Sequence, residues 1–87
     1  MGFEITLDPS AVKELLKISK GSPTISSGIK QAINSLSNEP YAGKPLAGNK
    51  KGCFSLRKGD HRVIYEVYPQ RQIIHIIQVG HRREVYR

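Results

Sequence analysis

Cys53-Phe54-Ser55-Leu56-Arg57-Lys58-Gly59-Asp60-His61-Arg62-Val63-Ile64-Tyr65-Glu66-Val67-Tyr68 sets two runs of alternating residues around Lys58-Gly59-Asp60. A period of two marks strands with one face buried, and a tight glycine turn between two such runs predicts an antiparallel hairpin. A second turn, Pro69-Gln70-Arg71, leads to a third strand from Ile73 to Val79. There Ile73-Ile74-His75-Ile76-Ile77 is apolar on both faces, which places this strand inside the sheet. Gly80 is expected to break it, leaving Glu84-Val85-Tyr86 as a short last strand or a tail.

Upstream of the hairpin the period changes to that of helices. Phe3-Glu4-Ile5-Thr6-Leu7 alternates as a first strand, and Asp8-Pro9-Ser10 is a helix start, with Asp8 able to cap and Pro9 suited to the first turn. Val12, Leu15 and Leu16 mark the apolar face of a helix ending at Gly21. Ser22-Pro23 repeats the start signal for a second helix, with Ile25, Ile29, Ala32, Ile33 and Leu36 on one side and Glu39-Pro40 as its stop. Gly28 weakens that helix by about 1 kcal/mol relative to alanine, a cost that close helix packing would explain. Tyr41 to Lys51 is expected to be an irregular loop. The order β-α-α-β-β-β predicts an α+β fold, a single domain over 1–87. An N-terminal helical hairpin packs on one face of a small, mostly antiparallel sheet. The other face is free to carry arginine, lysine and tyrosine.

Charge separates along the chain. From Lys44 to Arg87 ten Lys/Arg face three acids, which is the whole net charge of +7, whereas four lysines and four acids cancel before residue 44. Charge confined to one half points to a polyanionic partner. No apolar run is long enough to cross a membrane, and the start has no signal-peptide pattern. The single cysteine, Cys53, excludes an internal disulfide and suits the cytoplasm, where a small buried strand residue is the favoured role for it. Asp60, Glu66 and Glu84 are scattered and His61, His75 and His81 lie on different elements, so no metal or other cofactor is expected.

Cleavage of RNA without a metal fits these residues best. A 2′ hydroxyl attacks its own phosphodiester when its proton is removed, cations hold the added charge, and the leaving oxygen is assisted. Arginine offers permanently charged, two-point contact to phosphate. Tyr86, between Arg82-Arg83 and Arg87, stands where positive charge would favour its ionised form; its other reading is a ring packed at the sheet end. Arg62 lies opposite the face of Val63, Tyr65 and Val67, and shares its own face with Ile64 and Glu66. It is either a phosphate ligand or the partner of Glu66 in an ion pair. His81 suits proton transfer, His61 reads as polar surface, and His75 as a hydrogen-bonded sheet residue. Lys44, Lys50 and Lys51 are either ordinary solvated lysines or backbone contacts.

These segments resemble the RelE toxins of the RelE/ParE superfamily. The resemblance rests on Pro45-Leu46-Ala47-Gly48, on Gly52 through Val67, and on Val79-Gly80-His81-Arg82-Arg83-Glu84-Val85-Tyr86-Arg87. It covers essentially the whole chain and is specific in the second half. It implies a toxin of a toxin–antitoxin pair that cleaves messenger RNA in the ribosomal A site, without metal, leaving a 2′,3′-cyclic phosphate. It further implies Arg62 as a phosphate contact, Arg82 as the transition-state arginine and Tyr86 as the group that positions or deprotonates the 2′ hydroxyl. Arg57 falls where some members carry a catalytic lysine. Lys44, Lys50, Lys51 and Lys58, with His81 and Arg83, fall in the zone for RNA and ribosome contact. Ser55 departs from relatives that carry lysine there, with Arg57 on the same strand face. The partners implied are the ribosome, with its ribosomal and messenger RNA, and an acidic antitoxin that folds on binding. The rival readings are a ParE-like protein that inhibits DNA gyrase by binding, and a degenerate toxin that keeps only antitoxin binding.

Overall fold

The computed structural model describes residues 2–48 and 52–81. Its elements are β1 (Glu4–Leu7), α1 (Pro9–Gly21), α2 (Pro23–Ser35), β2 (Lys44–Pro45), β3 (Cys53–Lys58), β4 (His61–Tyr68) and β5 (Ile73–His81). One five-stranded sheet runs in the order β1-β5-β4-β3-β2, with β1 parallel to β5 and every other pair antiparallel. The strand apolar on both faces, β5, is thus interior. Among the described residues no helix is long and apolar enough to cross a membrane.

Each turn and cap has a local cause. Asp8 caps α1 by accepting from the Ser10 amide at 3.0 Å, and Pro9 occupies the first turn. Ser22 alone separates the two helices. Its amide closes α1 on the Ile18 carbonyl at 2.7 Å, while its hydroxyl accepts from the Ile25 amide at 3.3 Å and opens α2. Between β3 and β4 only Gly59 and Asp60 remain outside the ladder. Gly59 takes φ +60° at the first central position, where a type II′ hairpin turn favours glycine.

The core lies between the helices and one sheet face. Ala11 and Leu15 of α1, with Ile29, Ile33 and Leu36 of α2 and its exit, meet Val63, Tyr65, Ile74, Ile76 and Val79. A bulge keeps this face apolar. Ile64 pairs with Gln78 but Tyr65 with Ile76, so Ile77 is the extra residue and Val79 returns to the core side. The Ile77 carbonyl, displaced from the ladder, accepts from the Ser10 hydroxyl at 3.2 Å.

Several expectations are corrected. The apolar face of α1 is rotated: Ala11, Leu15 and Ile18 turn inward, while Val12 and Leu16 stay 43% and 59% exposed. The rotation is set by what α1 packs on, β5 and α2, which no helical period specifies. Ile25, assigned to the inner face of α2, is likewise exposed. The expected loop contains β2, a two-residue edge strand whose Pro45 fits an edge because it has no amide to donate. Gly80 does not end β5; it pairs with Arg62, and His81 pairs with His61. Gly28 makes room for β3 rather than for the other helix, since a Cβ there would lie 3.3 Å from Lys58 Cε.

Candidate functional site

The two-residue turn fixes what stands opposite what. With Lys58 paired to His61, Arg57 must pair with Arg62, and Arg62 on its other side with Gly80. Two like charges directly opposed on one sheet face form an arrangement suited to a shared anion. Gly80 adds no side chain beside Arg62, which leaves space on that face. Two residues along the strands, Lys44 of β2 pairs with Ser55, and Ser55 with Ile64. These residues occupy the sheet face opposite the helices, as the alternation within β3 and β4 requires.

Lys44, Ser55, Arg57 and Arg62 line one groove of about 430 Å³, together with Ala42, Gly43, Pro45, Leu46 and Leu56. None of these lining residues is acidic. Three cationic residues thus border one concavity whose described lining carries no carboxylate. For the alternative reading of Arg62 as the partner of Glu66, four residues of strand set the two ~13 Å apart along β4. Glu66 accepts from the Tyr68 hydroxyl at 3.1 Å. Arg57 also donates from Nε to the Gly59 carbonyl at 3.3 Å, which holds its stem over the turn.

Tyr65 is the residue sequence reasoning undervalued. Its ring is buried in the core, stacked on Phe54 with centroids 5.5 Å apart. Its hydroxyl donates to the Pro40 carbonyl at 2.9 Å and accepts from the Gly43 amide at 3.0 Å. Burial pushes the Tyr65 phenol up from its ordinary value, and the Gly43 amide opposes this in part. The phenol therefore stays neutral and keeps its donor hydrogen. It clamps the segment that carries Lys44 into the sheet. Gly43 must be glycine for this approach, as a Cβ would stand 2.8 Å from both the Ser55 carbonyl and the Tyr65 hydroxyl. Gly43-Lys44-Pro45 after a helix stop was the available signal.

Other candidates separate from this groove. Lys58, His61 and His81 lie at the helix-side rim, where with Thr24, Ile25, Gly28, Gly59 and Asp60 they line a second cavity of about 580 Å³. The His61 and His81 rings meet edge to face at 5.7 Å. His75 is the hydrogen-bonded sheet residue expected, with Nδ1 at 2.8 Å from the Thr6 hydroxyl. Arg82, Arg83 and Tyr86, and also Lys50 and Lys51, lie outside the described residues.

Comparison with known proteins agrees with this architecture. The family model of the ParE toxin of the type II toxin–antitoxin system parDE matches residues 5–86. Toxin RelG of Mycobacterium tuberculosis is 32% identical over the whole of this chain and 99% of its own length. Toxin RelE of the same organism is 26% identical, over 98% of this chain and 87% of its own length. In the solved toxin–antitoxin complex RelBE2 of M. tuberculosis, one chain superposes with a TM-score of 0.83 at 28% identity, covering 93% of this chain and 99% of that one. The β-α-α-sheet order, the cationic face left open by the helices and these near full-length matches agree. The chain belongs to the ParE toxin family of type II toxin–antitoxin systems, within the RelE/ParE superfamily.

Proposed function

We propose that this toxin is a ribosome-dependent, metal-free endoribonuclease that cuts messenger RNA in the A site. The observation that carries the reading is the convergence of Lys44, Arg57 and Arg62 on a groove whose described lining has no acid. A phosphodiester in flight between 2′ and 5′ oxygens gains negative charge, and guanidiniums fixed on strands stabilise it without reorganising. Arg62 and Arg57 would grip the scissile phosphate from adjacent strands. Arg82 would hold the transition state, and Tyr86 would take the 2′ proton, as the resemblance to RelE toxins implies. Lys50, Lys51 and Arg83, with Lys58 and His81 on the helix-side rim, would hold ribosomal RNA. So open a site needs the ribosome to align its substrate, which accounts for ribosome dependence.

The same reading includes an acidic antitoxin partner. It is supported by the net charge of +7 and by the likeness to a toxin solved in complex with its antitoxin. Val12 and Leu16, one turn apart on α1 and both exposed, offer an apolar patch for a partner helix. A second reading, inhibition of DNA gyrase by binding alone, is favoured by the ParE model that matches the chain. One experiment separates them. The purified toxin is added to programmed ribosomes with excess chelator, and messenger ends are mapped; gyrase supercoiling is assayed in parallel. New A-site ends bearing a 2′,3′-cyclic phosphate support the nuclease. Intact messenger with arrested supercoiling supports the gyrase reading.

A further inference from the structure

Cleavage by an internal 2′ hydroxyl needs two proton transfers. One proton leaves the 2′ oxygen as it attacks phosphorus. The other reaches the 5′ oxygen as the P–O5′ bond breaks and its electron pair passes to that oxygen. An unprotonated 5′ alkoxide leaves poorly, so a proton donor beside it accelerates the step. Four described side chains lining the groove carry exchangeable protons: Lys44, Ser55, Arg57 and Arg62. Guanidiniums do not deprotonate in proteins, so the two arginines hold charge but cannot release a proton. The Ser55 hydroxyl is a far weaker acid and lies on the groove floor, only 6% exposed. Lys44 is left.

Resting on the ribonuclease reading, we propose that Lys44 is the proton donor to the leaving 5′ oxygen. Its ammonium gives one proton to O5′ as that bond breaks and regains one from water after product release. The products are a 2′,3′-cyclic phosphate and a 5′ hydroxyl, which balances the two transfers.

The fold holds Lys44 for this role more firmly than an exposed lysine needs. Its strand pairs Lys44 with Ser55 and Pro45 with Phe54. On the C-terminal side the Leu46 amide donates to the Cys53 carbonyl at 2.9 Å. On the N-terminal side Tyr65 holds Pro40 and Gly43. Only the side-chain torsions of Lys44 remain free. Sheet spacings put its Cα two strands across and two residues along from Arg62, about 12 Å away. That separation lets an ammonium and a guanidinium reach opposite sides of one phosphate, the lysine at the departing oxygen and the arginines at the non-bridging oxygens.

The test uses single-turnover cleavage of messenger on programmed ribosomes, with either an ordinary linkage or a 5′-bridging sulfur at the scissile position. A thiolate leaves without protonation. Lys44→Ala and Lys44→Arg are both expected to slow the ordinary substrate by about 10²-fold or more, the usual contribution of general acid catalysis. Arginine keeps the charge but has no proton to give. On the sulfur substrate both deficits should shrink to within roughly tenfold of wild type. Lys13→Ala, which removes an exposed charge on α1, serves as the control. Lys44→Arg cutting the ordinary messenger at wild-type rate would reduce Lys44 to a charge and overturn the proposal. So would deficits of equal size on both substrates. If wild type cuts neither messenger, the ribonuclease reading itself fails, and that outcome is distinct from both.

Discussion

Replacing Tyr65 by phenylalanine removes one oxygen atom and leaves the rest of the core as it was. The ring keeps its place against Phe54, so apolar burial is unchanged and the effect isolates two hydrogen bonds. These are the 2.9 Å bond to the Pro40 carbonyl and the 3.0 Å bond from the Gly43 amide. Each contributes about 1 kcal/mol net, and stranding a partly buried backbone group costs somewhat more. Pro40 and Gly43 are half-buried, so water reaches them once the segment loosens, and the total loss is about 2 kcal/mol. A chain of this length has on the order of 4–13 kcal/mol of stability, so a substantial part of it is lost. The Tm should fall by roughly 8–16 °C. Urea unfolding should show a lower midpoint with an unchanged slope, since the surface exposed on unfolding is the same. Amide exchange at Gly43 should accelerate more than exchange within β4, because the loss is local to the clamp. A midpoint change worth less than about 0.5 kcal/mol, with Gly43 still protected, would refute the assignment of Tyr65 as the clamp.

Three further outcomes rest on other parts of the fold. Arg57→Ala should lower cleavage by about 10²-fold while changing stability by no more than about 1 kcal/mol, since Arg57 is exposed and makes a long bond to the Gly59 carbonyl. Parallel kinetics and urea unfolding check that activity falls without a matching loss of stability. Gly28→Ala should stabilise the protein by about 0.5–1 kcal/mol, because the helix gains propensity and the one close neighbour among the described residues, the flexible end of Lys58, can shift by a few tenths of an ångström. A lower Tm would show that Lys58 is held rigidly there. Hydrogen bonds from the Ser10 hydroxyl and amide hold the Asp8 carboxyl below its ordinary value of 3.8. The unfolded chain therefore binds this proton first, and the cap's contribution is full above about pH 4 and lost as pH falls through the lowered value. Acid titration of Asp8→Ala should lack that part of the decline.

Much of this was legible in the chain because it depends on local rules. Alternation in Cys53–Tyr68, the cap pair Asp8-Pro9 and the glycine turn Lys58-Gly59-Asp60 each act over a few residues, so they specify strands, helix start and hairpin. The register of the hairpin was not legible: Lys58 read as part of the turn, whereas it is the last residue of β3 and pairs with His61, which is what sets Arg57 opposite Arg62. The inward turn of Ala11 rather than Val12 was not legible, because helix rotation depends on the surface it meets. Nor was the place of Lys44. A lysine in a glycine- and proline-rich stretch has the composition of a loop. It becomes a groove residue only when the Tyr65 hydroxyl, over twenty positions away, captures the Pro40 carbonyl and the Gly43 amide. The pattern of side chains by itself determined the α+β order and the basic half. Which cations share one groove was decided by tertiary structure, because strand pairing and a buried hydroxyl bring together residues that no local period relates.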